Sequence, residues 1–261
     1  MDNLYIIKIG GNIIDDDEKL STFLQNFSFI EASKILVHGG GKLATKMATR
    51  LGIEQTLVEG RRITDAETLK IVTMVYAGYV NKNVVAQLQS NGCNAIGLCG
   101  ADANVVLAHK RQTTNIDYGF AGDVDAININ FLQTVLDQNI TVVMSPITHN
   151  NQGQLLNTNA DTIAQEIAKA LSKLYQVRLI YCFEKNGVLM NAADDATVIS
   201  RLNPSNYKKY KEDGIINAGM IPKLDNAFAA INAGVAEVVI GNAENLQDII
   251  NKTSGTIIVN D

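Results

Sequence analysis

Short apolar runs alternate with longer amphipathic stretches along almost the whole chain. Strand-like runs fall at Leu4–Ile9, Lys34–His38, Asn94–Leu98, Thr141–Ser145, Val177–Phe183, Ala236–Ile240 and Thr256–Val259, bounded by turn residues and short enough to read as buried strands. Between most of them apolar residues recur at helical spacing. The clearest case is Asp65 to Ser90, where Leu69, Val72, Val75/Tyr76, Tyr79/Val80 and Val84 form one stripe, weakened at Gly78. Strands alternating with helices predict an α/β fold: a mainly parallel, doubly wound sheet with helices on both faces, an αβα sandwich. Near residues 104–124 strict alternation replaces the helical period, which predicts a projecting β-hairpin. Such a hairpin serves as a lid, a structural flap or a subunit contact. A boundary near Leu171–Lys173 would divide the chain into lobes at residues 1–172 and 173–261.

Two of the strand-like runs end in bare backbone. The first, Leu4–Ile9, runs into Gly10-Gly11, and the second runs through His38 into Gly39-Gly40-Gly41. Glycines directly after buried strands let an anion lie against main-chain N–H groups, so neighbouring turns of this kind predict one shared site for phosphate and carboxylate. Lys8 interrupts the first apolar run. An isolated strand lysine snorkels to solvent. Beside Gly10-Gly11 its charge instead favours an anion at the strand's end.

Composition narrows the classes. Of 261 residues, 46% are hydrophobic and 19% charged, with no biased tract, so the chain is globular. A net charge of −5 argues against a nucleic-acid scaffold, and anionic ligands must therefore be held locally. No apolar run approaches a membrane span and Met1-Asp2-Asn3 lacks a signal-peptide pattern, from which a cytoplasmic protein is expected. Cys93, Cys99 and Cys182, like His38, His109 and His149, are scattered at spacings that match no metal or redox motif, and the cysteines read as reduced and structural.

Further polar residues interrupt the helical stretches. Asn157-Thr158-Asn159-Ala160-Asp161 leads into a helix; Asn159 or Asp161 serves as its N-cap, and three Asn/Asp residues exceed what one cap requires. Asp161 at that helix start is suited to orienting ammonium groups. Lys223 lies just inside another helix, after Pro222, where an anion at the helix end would compensate both its charge and the dipole. Arg62 precedes the long helix, with Thr64 or Asp65 as cap. In an extended segment Arg61 and Arg62 point opposite ways, so only one is expected to reach a cleft. GxxxxGK[ST], GxGxxG, GxSxG and HExxH patterns are absent, and phosphoryl transfer is the leading reaction.

Taken in order, Ile7-Lys8-Ile9-Gly10-Gly11, His38-Gly39-Gly40-Gly41, Gly60-Arg61-Arg62-Ile63-Thr64, Asn157-Thr158-Asn159-Ala160-Asp161 and Gly219-Met220-Ile221-Pro222-Lys223 resemble the amino acid kinase family over nearly the whole chain. The resemblance implies ATP-dependent phosphorylation of the side-chain carboxylate of an N-acylated glutamate in arginine biosynthesis, with Mg²⁺ carried by ATP. It implies that Lys8 and Lys223 stabilise the transferring phosphoryl group and Asp161 holds them in place. Gly40, Gly41, Arg62, Asn157 and Asn159 would bind the acylated amino acid. Gly10, Gly11, Glu184, Gly187, Val188, Leu189 and Asn217 would bind the nucleotide, and no protein metal ligand is implied. Lobe 1–172 would then take the acyl-amino acid and the dimer contact, and lobe 173–261 the nucleotide.

Two departures qualify the resemblance. Cys182-Phe183-Glu184 stands where relatives carry a Ser/Thr-Asp-Val stretch, and Lys42, where relatives commonly have proline, follows the triple glycine. An added cation there is compatible with a larger acyl group such as succinyl. The chain opens directly on its first strand, from which an arginine-insensitive homodimer is expected, and an aspartate kinase's trailing regulatory domain is not seen. The alternatives are another substrate of the family or a non-catalytic sensor of nucleotide or amino acid, which would have no need of two phosphoryl-facing lysines.

Overall fold

The computed structural model describes residues 1–58, 61–216 and 220–260, apart from the side chain of Pro222. Gly60, Asn217 and Gly219 lie outside the described residues. In chain order the strands are β1 (Asn3–Ile9), β2 (Ser33–His38), β3 (Leu57–Val58), β4 (Arg61–Arg62), β5 (Ala95–Leu98), β6 (Val106–Lys110), β7 (Ala121–Ile127), β8 (Thr141–Met144), β9 (Ile147–His149), β10 (Leu155–Thr158), β11 (Gln176–Phe183), β12 (Arg201–Leu202), β13 (Glu237–Asn242) and β14 (Thr256–Ile258). One sheet of eight strands runs β12-β14-β13-β11-β1-β2-β8-β5. Its pairings are parallel except β13 with β14. The apolar runs read from the sequence supply every strand of it except the two-residue β12.

Period-two alternation sorts β1 between two cores. Leu4 and Ile6 join Leu179, Tyr181 and the helix Ala160–Leu171 through Ile163, Ile167 and Leu171. Ile7 and Ile9 point the other way, against Leu20, Phe23 and Leu24 of the helix Asp17–Ser28 and against Val72, Val80 and Val84. Burying each such side chain contributes about 1.5–3 kcal/mol, so both sheet faces are covered by helices, as the fold class requires. Lys8 shares its face with Leu4 and Ile6, and therefore lies under the helix Ala160–Leu171.

The stretch expected as one helix from Asp65 to Ser90 is continuous, capped by the Asp65 carboxylate, which accepts from Thr68 N–H at 2.7 Å. Its middle is not α-helical: Thr73–Val80 is a π-helix between Ala66–Val72 and Asn81–Ser90. The expected hairpin is present as antiparallel β6 and β7. It is not a free flap, because β9 and β10 close it into a four-stranded barrel, β10-β7-β6-β9. β9 and β10 are too short to leave a clear periodicity.

The site's position follows from register. Ile9 is level with both His38 and Cys182, so Gly10-Gly11, Gly39–Gly41 and Phe183-Glu184 leave the sheet side by side. The chain runs from β1 to β2 on one flank and returns as β11 on the other, a topological switch point where ligands of such sheets bind. Among the described residues no helix is long and apolar enough to cross a membrane.

Candidate active site

Both glycine turns open helices. Gly10 caps the single turn Gly11–Ile14, and Gly40 caps the helix Gly41–Arg50. Free N–H groups at such ends favour anions. Gly40 has φ +146°, and a Cβ there would lie 2.9 Å from the Tyr76 ring, so only glycine suits the position.

Above these turns lies a cleft of about 580 Å³, lined by Lys8, Gly10, Gly11, Asn12, Lys42, Asp161, Phe183, Glu184, Lys185, Gly187 and Lys223, among others. A smaller cavity of about 180 Å³ is lined by Gly39, Gly40, Gly41, Arg61, Arg62, Tyr76, Arg111, Asn157 and Asn159, among others. The two share Gly41, Leu57 and Arg62 as a common wall.

Lys8, 8% exposed, places its Nζ 2.7 Å from Asp161 Oδ1, an ion pair by distance although its angles fall short of an aligned hydrogen bond. The ambiguity between Asn159 and Asp161 is resolved. Asn159 Oδ1 accepts from the N–H groups of Asp161 and Thr162 and caps the helix, leaving the Asp161 carboxylate for Lys8. Lys223 is at the start of the helix Ile221–Asn232, its Nζ 3.5 Å from the centroid of the Phe183 ring. Burial pushes the Lys223 ammonium below its ordinary pKa; Asp161 and Glu184 oppose that shift and Lys8 adds to it.

Arg62 is buried, donating from Nη2 to the Gly41 carbonyl at 3.0 Å and Thr45 Oγ1 at 2.9 Å, and from Nη1 to Gln55. Arg61 also lines the smaller cavity, contrary to the expectation that only one arginine reaches the site. Leu57 and Arg62 are level in the two-residue β3–β4 ribbon and both line the cavity, and Arg61, one residue before Arg62, borders it as well, so a ribbon this short does not separate the two arginines. Asn157 Nδ2 donates to Thr64 Oγ1 at 3.0 Å.

A buried network fixes the triple glycine. His38 Nδ1 lies 2.8 Å from the Gly39 carbonyl, which only accepts, so Nδ1 carries the proton and Nε2 accepts from Asn81 Nδ2 at 3.1 Å. Asn81 also donates to the Val143 carbonyl and accepts from Lys82 Nζ. Burial pushes His38 down to about 4, so the ring is neutral at pH 7.

The remaining expected residues separate. Glu184 and Gly187 line the main cleft. Val188 and Leu189 do not; with Gly187 they line an adjoining pocket beside Ile215, Ile216 and Met220. Lys42 lines the main cleft rather than the smaller cavity, so its charge lies beside Lys8 and Lys223 rather than beside Arg61 and Arg62. The cysteines are free, and burial pushes the Cys182 thiol up to about 12, which keeps it protonated and inert. Among the described residues no three His, Cys, Asp or Glu side chains converge as a metal site. Sequence reasoning missed Tyr76, whose helical spacing made it look like plain core, together with Arg111 and Thr45. Arg111 is held by an ion pair with Asp123.

A doubly wound sheet with two glycine turns and two converging lysines at its strand ends is a phosphoryl-transfer architecture. The chain belongs to the amino acid kinase family, whose profile matches residues 3–242. It is similar to the acetylglutamate kinase of Cytophaga hutchinsonii, with 58% identity over 99% of each chain. It is 55% identical to the acetylglutamate kinase of Phocaeicola vulgatus over 98% of each. A solved Streptococcus mutans UA159 structure superposes with a TM-score of 0.80 at 27% identity, covering 99% of each chain.

Proposed function

We propose that this protein transfers the γ-phosphoryl group of ATP to the side-chain carboxylate of N-acetyl-L-glutamate, giving N-acetyl-L-glutamyl 5-phosphate and ADP in cytoplasmic arginine biosynthesis. The observation that carries this reading is the common wall. Gly41 and Arg62 border both the lysine-lined cleft and the arginine-lined cavity, so a carboxylate held in one meets a phosphate held in the other.

Each residue then has a chemical task. A carboxylate is ionised at neutral pH and attacks without a general base. Arg62 and Asn157 hold the α-carboxylate and amide, while N–H groups at Gly40 and Gly41 orient the attacking group, with Asn159 fixing the adjoining helix end. Lys8 and Lys223 stabilise charge on the transferring group in an in-line transition state, and Asp161 keeps Lys8 directed at it. Gly10, Gly11, Glu184 and Gly187 take the nucleotide, with Val188 and Leu189 shaping the adjoining pocket. Asn217 belongs to the same assignment.

Mg²⁺ carried in with ATP would supply charge neutralisation for the phosphates. Asn12 is suited to help hold it: it lines the cleft, and its Oδ1 is buried without a hydrogen-bond partner. Every residue named for the smaller cavity precedes residue 172, which supports the division into an acyl-amino-acid lobe and a nucleotide lobe. Exposed Met74 and Tyr79, with Ile96 on the edge strand β5, are apolar surface suited to a homodimer; sedimentation tests it.

The decisive assay couples ADP release to hydroxamate trapping of the acyl phosphate. Turnover of free glutamate but not its acyl derivatives would exclude the proposal. A second reading keeps the reaction and changes the acyl group to succinyl. It is supported by Arg61, which lines the cavity beyond the one guanidinium that an α-carboxylate needs. Comparing N-acetyl- and N-succinyl-glutamate in the same assay separates the two.

A further inference from the structure

Phe183 closes β11, and alternation puts its ring on the same sheet face as Tyr181, against which it stacks with centroids 6.2 Å apart. Tyr181 is in register with Lys8. The ring therefore sits under both lysines of the cleft: Lys223 Nζ is 3.5 Å and Lys8 Nζ 5.6 Å from its centroid. Two ammonium groups this close to one ring repel each other. Asp161 pairs with Lys8, and the exposed Glu184 is the other carboxylate acting on Lys223.

An aromatic face attracts cations through its quadrupole, yet carries no charge. A carboxylate at this position would hold the ammonium groups but compete with an incoming phosphate; an aliphatic side chain would not hold them. We infer that Phe183 is a positioning residue: its ring gathers the Lys8 and Lys223 ammonium groups on the cleft floor and releases them to an anion without competing for it. The inference rests on the reading that these lysines face the transferring phosphoryl group, and it gives a task to the residue that departs from the family's pattern.

The test uses the full chain with Phe183→Leu and Phe183→Tyr. Titration of the Lys223 side chain by ¹³C NMR, with the resonance assigned through Lys223→Arg, reads the effect without turnover. In Phe183→Leu the midpoint falls by roughly 0.5 to 1.5 pH units, and kcat drops about 3- to 30-fold with the KM for the acylated amino acid unchanged. Phe183→Tyr restores both. If Phe183→Leu does not fold, Phe183→Met replaces it. An unchanged Lys223 midpoint, or equal loss in the tyrosine variant, would overturn the inference. The titration needs no substrate, so its outcome stands even where the proposed reaction fails.

Discussion

Asn159 Oδ1 accepts the backbone N–H of Asp161 at 2.8 Å. That bond divides the labour of two neighbouring polar residues. The asparagine satisfies the helix end, and the aspartate keeps its carboxylate for Lys8, 2.7 Å away. Replacing Asp161 with asparagine should leave the buried Lys8 without its counter-charge, lowering kcat by roughly 10²-fold. Asp161 also raises the pKa of Lys223, so the alkaline limb of the kcat profile should move to lower pH. Asn159→Ala should cost about 1 kcal/mol of stability through the lost cap, with a smaller fall in kcat. Thermal melts and pH–rate profiles check both variants.

Lys223→Met should abolish turnover by about 10²–10³-fold or more, since a charge aimed at the transferring group is removed. The fold should persist, because methionine fills much of the same space and the ammonium group is only partly buried. Circular dichroism with the coupled assay distinguishes the outcomes, and unchanged turnover would remove the role assigned to Lys223.

At Arg62 the charge alone is not enough. The guanidinium reaches Gly41, Thr45 and Gln55 together, a fork that lysine cannot reproduce. Arg62→Lys is therefore expected to raise the KM for the acylated amino acid about tenfold or more, with a smaller change for ATP. Steady-state kinetics in both substrates measure this.

Gly40→Ala meets two obstacles, a backbone at φ +146° and the Tyr76 ring 2.9 Å from the new Cβ. The cost should be at least about 1–3 kcal/mol. The loss should appear chiefly as weaker binding of the acylated amino acid, because the turn borders that cavity. Urea unfolding and isothermal titration report the two effects separately.

Acid should destabilise the protein through His38. Its folded-state pKa of about 4 lies below the ordinary 6.5, so the unfolded chain takes up a proton in that interval and the native chain does not. Stability from the neutral ring is complete above pH 6.5 and falls as pH drops toward 4, by about 3 kcal/mol. Protonation would also place a second donor against Asn81 Nδ2 and a cation near Lys82. The difference in urea midpoint between wild type and His38→Gln should shrink as pH is lowered from 7 to 4.5; a constant difference would rule this out.

The layers and their order were legible in local sequence. The apolar runs are short, mostly rich in Val and Ile and bounded by turn residues, so local burial set β1, β2, β5, β8, β11, β13 and β14 within a residue or two, and glycines without side chains marked where backbone must meet anions. The π-helix at Thr73–Val80 was not legible, because α and π turns both leave an apolar stripe. The closed barrel escaped because β9 and β10 are short strands whose pairing partners are distant in the chain. The site was legible as a set of residue types, not as contacts. That Asp161 pairs with Lys8, that Arg61 and Tyr76 join the cavity, that Lys42 faces the other cleft, and that Phe183 lies beneath two lysines were all settled by long-range packing. Register between β1 and β11, and the seating of two helices on one sheet face, bring those side chains within a few ångströms, and no local pattern encodes such distances.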